Sequence, residues 1–213
     1  DNYVTKLNVL VLVHPDLIPP DQSNQDFDRN SSPWKTEFDV ITTLIKMGHN
    51  VFTSGLYNNI EALKEDIKQF KPHIVFNLLE EFDGKSHFDQ HVVSLLELFK
   101  IPYTGCSPKG LTLARDKALS KKIFTYHNMF CPNFFTFHKN RPVNLDSDLK
   151  FPMFVKSLTE EASYGISQAS LVKSHDKMKE RINYLINELE TDVIAEEFIE
   201  GRELFVGIIG NKN

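Results

Sequence analysis

Three short strand-like runs separated by helix-period segments constrain the first half of this chain more than any other feature. Asn8–Val13 (NVLVLV) is apolar without alternation, which suits a strand covered on both faces. A polar stretch rich in Pro and Asn follows, residues 14–33, and reads as a long loop. Residues 34–47 carry Phe38, Ile41 and Ile45 at helical spacing, with Gly48 as the stop. Residues 50–53 are strand-like, Ile60, Leu63, Ile67 and Phe70 recur at helical spacing, and residues 73–77 (HIVFN) form another buried strand. Strand, helix, strand, helix, strand is the order of a parallel α/β sheet with Rossmann-like winding. Ser86 with Asp89 makes a capping-box start to a helix through about Phe99. Residues 101–105 (IPYTG) then bring the chain back to the sheet, a helical turn leads to Arg115, and the first domain is expected to end near Pro108.

The second half has a different rhythm. Asp116 caps a helix to about His127, and residues 133–137 and 151–156 (FPMFVK) read as strands, with another expected over 165–171. Ser174 caps a helix whose Met178, Ile182, Leu185 and Leu189 share one face. Two further strands are expected over 193–198 and 203–209. A helix between hairpin-type strands predicts an α+β lobe rather than more parallel repeats. The expected organisation is therefore residues 1–108, then 109–200, with 201–213 opening a third part.

Composition narrows the function. The formal charge is 24 − 29 = −5, so there is no general basic excess for nucleic acid, and any phosphate site must be a local patch. No apolar run is long enough to cross a bilayer as a helix, and the first hydrophobic run lacks the basic flank and cleavage site of a signal peptide. Cys106 and Cys131 fit neither a CxxC nor a metal spacing, and are expected to be small core residues in a reducing cytoplasm. His87 and His91 lie four apart, as in a zinc-protease helix, but the acid between them, Asp89, stands at the wrong position and is explained as the helix cap.

Three features carry chemistry. Lys156 sits near the end of an apolar strand on the same face as Phe154; taken alone, it is a lysine whose head reaches solvent. The loop 157–165 (SLTEEASYG) has the hydroxyls and amides to fold over phosphates, although one glycine is a weak phosphate-loop signal and no Walker pattern is present. Residues 193–204 (VIAEEFIEGREL) are an apolar strand ending in acids, suited to holding an adenosine over an apolar floor of Met153, Ile194 and Phe198. For any single glutamate there, the plain reading is a solvated hairpin. A dinucleotide-binding reading fails because His14-Pro15-Asp16 follows the first strand where a glycine-rich turn is required.

Taken together the pieces resemble a family. Arg115-Asp116-Lys117, the strand-borne Lys156, the Ser163–Gly165 turn and Glu196…Gly201-Arg202-Glu203 stand in the order found in ATP-grasp ligases. Residues 101–105 (IPYTG), and Asp83-Gly84 followed by Gln90 and Leu95-Leu96-Glu97, are similar to D-alanine–D-alanine ligases. The resemblance implies an N-terminal Rossmann-like domain followed by the ATP-grasp lid lobe, an ATP-dependent carboxylate–amine ligase working through an acyl phosphate, and ATP and Mg2+ as cofactors. It implies Lys117 and Lys156 at the phosphates, Ser163 closing over them, Glu196 with Glu197, Phe198 and Ile199 around the adenine, Glu203 at the ribose, and Glu37 as a substrate-orienting acid. Small amino-acid or peptide-like substrates are the implied partners, with no nucleic acid or membrane, and a homodimer is compatible with it.

The chain also departs from the pattern. The family's magnesium-binding acids are expected beyond Asn213, so the 213 residues alone are expected not to ligate. Glu160, Glu161 and Ala162 replace smaller loop residues, and Asn77-Leu78 stands for the ligase His-Gly element, which predicts poor use of D-alanine. The reading from a different class is a non-catalytic nucleotide-binding sensor or scaffold.

Overall fold

The computed structural model describes residues 5–20, 31–159, 165–208 and 210, and the chain divides into two units, 1–115 and 116–213. At the centre of the first is β1 (Asn8–Val13), hydrogen-bonded in parallel to β2 (Asn50–Gly55) on one side and β3 (Ile74–Asn77) on the other. Its two faces are both buried, which explains the absence of polar alternation. Leu10 and Leu12 pack with Leu63, Val92 and Leu96, whereas Val9, Val11 and Val13 pack with Ile41 and Leu44. Thus α1 (Lys35–Lys46) covers one face, and α2 (Ile60–Phe70) and α3 (Asp89–Leu98) cover the other. Strand order β2-β1-β3 demands this, because the crossover from β1 to β2 and the one from β2 back past β1 to β3 run in opposite directions along the sheet, and right-handed connections then land on opposite faces.

The segment 101–105 runs beside β3 as expected. Val75 donates to the Pro102 carbonyl at 2.8 Å, and Thr104 donates back to the Val75 carbonyl at 3.0 Å. Several ligase-like motif residues turn out to be scaffold. Asp83 and Gly84 both have positive φ (55° and 68°) between Phe82 and Lys85, which bond each other as in a tight hairpin. Glu97 accepts from the Tyr103 hydroxyl at 2.7 Å, and burial together with that carboxylate pushes the phenol up to about 12. Thr112 donates to Gln90 at 3.0 Å, joining α3 to α4 (Pro108–Arg115).

One expectation about α3 is corrected. Ser86–Phe88 form a 3-10 turn, and the α-helix opens only at Asp89, with Phe88 at its N-cap position. Asp89 is buried because Arg115 reaches it, with the guanidinium NH2 at 2.6 Å and Nε at 3.3 Å, while also donating to the Glu80 carbonyl at 2.9 Å. A charged pair at that depth outweighs one capping hydrogen bond. It also ties α4 into the first unit, so the structural division falls at 115/116, seven residues past Pro108.

In the second unit α5 (Lys117–Tyr126), capped by Asp116 as expected, precedes an antiparallel sheet of order β4-β7-β5-β6. The strands are β4 (Phe134–Phe137), β5 (Met153–Ser157), β6 (Leu171–Val172) and β7 (Val193–Glu197). The helix α6 (His175–Leu189) sets Met178, Ile182 and Leu185 against Val155, Val193 and Ala195 on one face. Ala118, Leu158 and Ile194 close together on the opposite face.

One strand expectation is shortened, and another, over 203–209, is not met among the described residues, residue 209 lying outside them. Over 165–171, Ser167 and Ser170 bond each other's backbone in a capping box that curls residues 168–170 into a 3-10 turn, leaving a strand of two residues. Residues 202–208 have apolar, strand-like composition but no regular structure, and Leu204, Phe205, Val206 and Ile208 are exposed. A strand exists only through its partner, and among the described residues none pairs with this segment.

The buried Asp89–Arg115 pair supplies a stability test. Arg115→Met leaves Asp89 as an uncompensated buried charge and should cost about 3–5 kcal/mol, read from urea unfolding. Adding Asp89→Leu should recover part of that loss.

Candidate nucleotide site

Pairing register decides which side chains meet. On β7, Glu196 lies opposite Phe134 of β4 and Phe154 of β5, while Ile194 lies opposite Lys156. Side chains two residues apart on a strand share a face, so Phe134, Phe154, Lys156, Ile194 and Glu196 all project from one face of the sheet. The opposite face carries Met153, Val155, Val193 and Ala195 against α6. That corrects the expected floor: Met153 belongs to the α6 core and cannot join Ile194 beneath a base. Phe134 and Phe154 flank Glu196 instead.

The centre of the face is electrostatic. Lys121 of α5 places Nζ 2.8 Å from Glu196 Oε2, and Lys156 Nζ contacts the other oxygen, Oε1. The two ammonium groups also lie 5.8 Å from the ring centroids of Phe134 and Phe154 respectively. Side-chain exposure is 13% for Lys121, 11% for Glu196 and 23% for Lys156, so the cluster is largely withdrawn from water. Burial on its own pushes the Glu196 carboxyl up, but hydrogen bonds and charge from Lys121 and Lys156 outweigh it and hold the group below the ordinary glutamate range. Lys117 joins from the first turn of α5, with both its backbone N–H (3.4 Å) and its Nζ (3.3 Å) directed to the Leu158 carbonyl. Two lysines against one glutamate, with Lys117 one helical turn before Lys121, make a local positive patch in a chain of net charge −5.

Of the residues expected at the site, Lys156 and Glu196 are in contact, and Lys117 lies on α5, the helix that delivers Lys121. Lys121 was missed, although the signal was there: it stands four residues after Lys117 on a capped helix, hence on the same face. Glu197 projects to the other side of the sheet, where it accepts from Asn133 at 3.2 Å. Its backbone N–H is taken by the Asn133 carbonyl at 2.9 Å, and that of Phe198 by the Pro152 carbonyl at 3.1 Å. Ile199 and Glu203 are exposed beyond the end of β7, and Ser163 lies outside the described residues. Glu37 is buried in the first turn of α1 with Oε2 unpartnered, in the other unit. A cavity of about 420 Å3 opens beside Asn133, Phe135, Met153 and Glu197, but none of the three lysines lines it. Between His87 and His91 the Phe88 ring stands edge-on to both imidazoles, at 4.6 and 5.4 Å. No helix among the described residues is long and apolar enough to cross a membrane.

Comparison with known proteins agrees with this architecture. A solved D-alanine–D-alanine ligase from Bacillus anthracis, in complex with ATP, superposes with a TM-score of 0.68 at 22% identity, over 92% of this chain and 60% of that one. The likeness is one of fold: a parallel α/β unit followed by an antiparallel lobe. The family described as D-ala D-ala ligase C-terminus matches residues 122–213. The D-alanine–D-alanine ligase of Pelagibacter ubique is 34% identical over 179 residues, 82% of this chain and 55% of its own length. An uncharacterized protein of Sinorhizobium fredii, y4sG, is 30% identical over 199 residues, 88% of this chain and 56% of its own. These findings support a D-alanine–D-alanine ligase-like ATP-grasp protein. It spans about half the length of the curated relatives it matches.

The depressed carboxyl of Glu196 makes stability depend on pH in a definite direction. A group whose pKa is lowered by folding stabilises the fold above its unfolded value, about 4.3, and that contribution is lost as pH falls through the folded value. Glu196→Gln should therefore flatten the acid limb of the unfolding free energy below about pH 4.3. An unchanged acid limb would show that the two lysines do not hold Glu196 ionised.

Proposed function

We propose that this chain supplies the N-terminal domain and the nucleotide-binding lobe of an ATP-dependent carboxylate–amine ligase. The observation that carries this reading is the convergence of Lys121 and Lys156 on Glu196 over an aromatic-flanked sheet face, with Lys117 on the same helix as Lys121 reaching the Leu158 carbonyl. Polyphosphate needs several cations in a partly dehydrated setting, where each charge-assisted hydrogen bond contributes about 1.5–3 kcal/mol. Lys117 and Lys156 would hold the phosphates as mobile point charges, and Ser163 with its loop would cover them. Glu196, Phe198 and Ile199 would surround the adenine, with Glu203 at the ribose, which requires residues 198–203 to fold back toward the lysine face; Glu197, whose side chain faces the other side of the sheet, would contribute main-chain groups only. Glu37 would orient the substrate.

In the reaction, a substrate carboxylate oxygen attacks the γ-phosphorus of ATP, the bond to the β-phosphate bridging oxygen breaks, and ADP leaves. The amine then attacks the acyl carbon of the mixed anhydride, inorganic phosphate departs, and the new amide loses a proton. Cations stabilise the charge on the transferring phosphoryl, and exclusion of water protects the anhydride. Among the described residues no group of three His, Cys, Asp or Glu side chains is placed to hold a metal, and Glu196 is already engaged by two lysines. The described residues therefore do not fit Mg2+.

Substrate choice is proposed to differ from D-alanine. Asn77 Oδ1 accepts from the Leu79 N–H at 3.2 Å and the Asn77 backbone N–H donates to the Thr104 hydroxyl at 3.0 Å, so the side-chain oxygen serves its own turn. The deciding experiment is ATP-dependent phosphate release by the full-length protein across a panel of amino acids and dipeptides. We expect turnover with one class of amine and carboxylate, and little with D-alanine alone. ATP binding with no turnover anywhere on the panel would favour a nucleotide sensor or scaffold. For the site itself, Lys156→Ala in the full-length protein should weaken ATP binding about 10- to 100-fold; an unchanged dissociation constant would remove Lys156 from the phosphates.

A further inference from the structure

The cluster contains an apparent contradiction. A lysine meant for phosphate is of little use while bound to a carboxylate, yet Lys156 contacts Glu196. Glu196 cannot simply be abandoned either: its side chain is only 11% exposed, and a buried carboxylate stripped of its counter-ion is strongly disfavoured. The second lysine resolves this. Lys121 takes Oε2 while Lys156 takes Oε1, so the acid has two independent cationic partners, one for each oxygen. They come from different elements, α5 and β5, and approach from opposite sides over Phe134 and Phe154. The pair is unequal, because Lys121 is the more enclosed at 13% exposure and Lys156 the more open at 23%.

We propose that Lys121 is a positioning residue that keeps Glu196 paired while Lys156 leaves it for the nucleotide phosphates. In this arrangement Lys121 does not touch the nucleotide. It works by counter-ion exchange: the empty site satisfies Glu196 with two ammonium groups, and the loaded site satisfies it with one. With Lys121 present, the two lysines and Glu196 carry a net single positive charge for the incoming phosphates. Without it, Lys156 and Glu196 form a neutral, self-satisfied pair that phosphate has to break. The proposal rests on the functional reading above and adds a role for a residue that reading does not place at the phosphates.

The test is titration calorimetry of the full-length protein with ATP and, separately, with adenosine, which has no phosphate. Lys121→Met should lower the ratio of ATP to adenosine affinity at least about tenfold, the loss of one charge-assisted hydrogen bond. The double variant Lys121→Met/Glu196→Gln removes the acid that competes for Lys156, and should bring the ratio back to within about threefold of wild type, the usual scatter for uncoupled sites. A purely structural role for Lys121 would weaken both ligands equally and leave the ratio unchanged, which overturns the proposal. A lowered ratio that the double variant fails to restore overturns it as well, since Lys121 would then act on phosphate directly. Failure of the wild type to bind ATP would overturn the functional reading and the proposal with it, whereas ATP binding with an unaltered ratio in Lys121→Met sinks the proposal alone.

Discussion

A carboxylate held between two ammonium groups governs the second unit of this protein. Glu196 lies in the middle of a sheet face whose other residues include Phe134, Phe154 and Ile194. An isolated charge there would be intolerable, so the strand carrying it, the neighbouring strand carrying Lys156 and the helix carrying Lys121 are bound to one arrangement. The opposite face needs no such device, because Val155, Val193 and Ala195 simply pack against Met178, Ile182 and Leu185. The lobe thus has a structural side held by apolar packing and a chemical side held by charge.

The first unit shows the same economy at a different place. Its parallel sheet is organised by β1, buried on both faces, and one buried ion pair, Asp89–Arg115, closes α4 onto α3. Arg115 is followed at once by Asp116, which caps α5, and by Lys117, whose ammonium reaches the Leu158 carbonyl. Three consecutive residues therefore serve three different ends: an anchor in the first unit, a helix start and a cation at the Leu158 carbonyl. Their order along the chain reflects that division of labour, and it explains why a short motif marks the passage between units.

Several motif residues that invite a chemical interpretation are structural in this protein. Asp83-Gly84 forms a turn with both φ angles positive, Glu97 satisfies a half-buried tyrosine, and Gln90 joins two helices. Their resemblance to ligase motifs located the fold correctly because these positions build it. Lys156 went the other way. By itself it read as a lysine reaching for water, and only Glu196 on the next strand gives it a role.

By itself the sequence determined the element types and most of their extents. Periodicity reports burial, and the apolar run of β1, the Ile60–Phe70 spacing and the Asp116 and Ser174 caps are local properties of the chain. It also determined the family resemblance and the lysine-bearing elements. Tertiary structure alone decided the partners. Asp89 looked like a cap until Arg115, 26 residues away, claimed it. Met153 looked like part of a floor until the register placed it opposite Glu197, on the α6 side. Lys121 and Glu196 are 75 positions apart in the chain and meet through helix-on-sheet packing, which no local pattern encodes. The physical reason is one of range: secondary structure follows from preferences within a few residues, whereas a buried charge is tolerated only where a distant segment delivers its counter-ion.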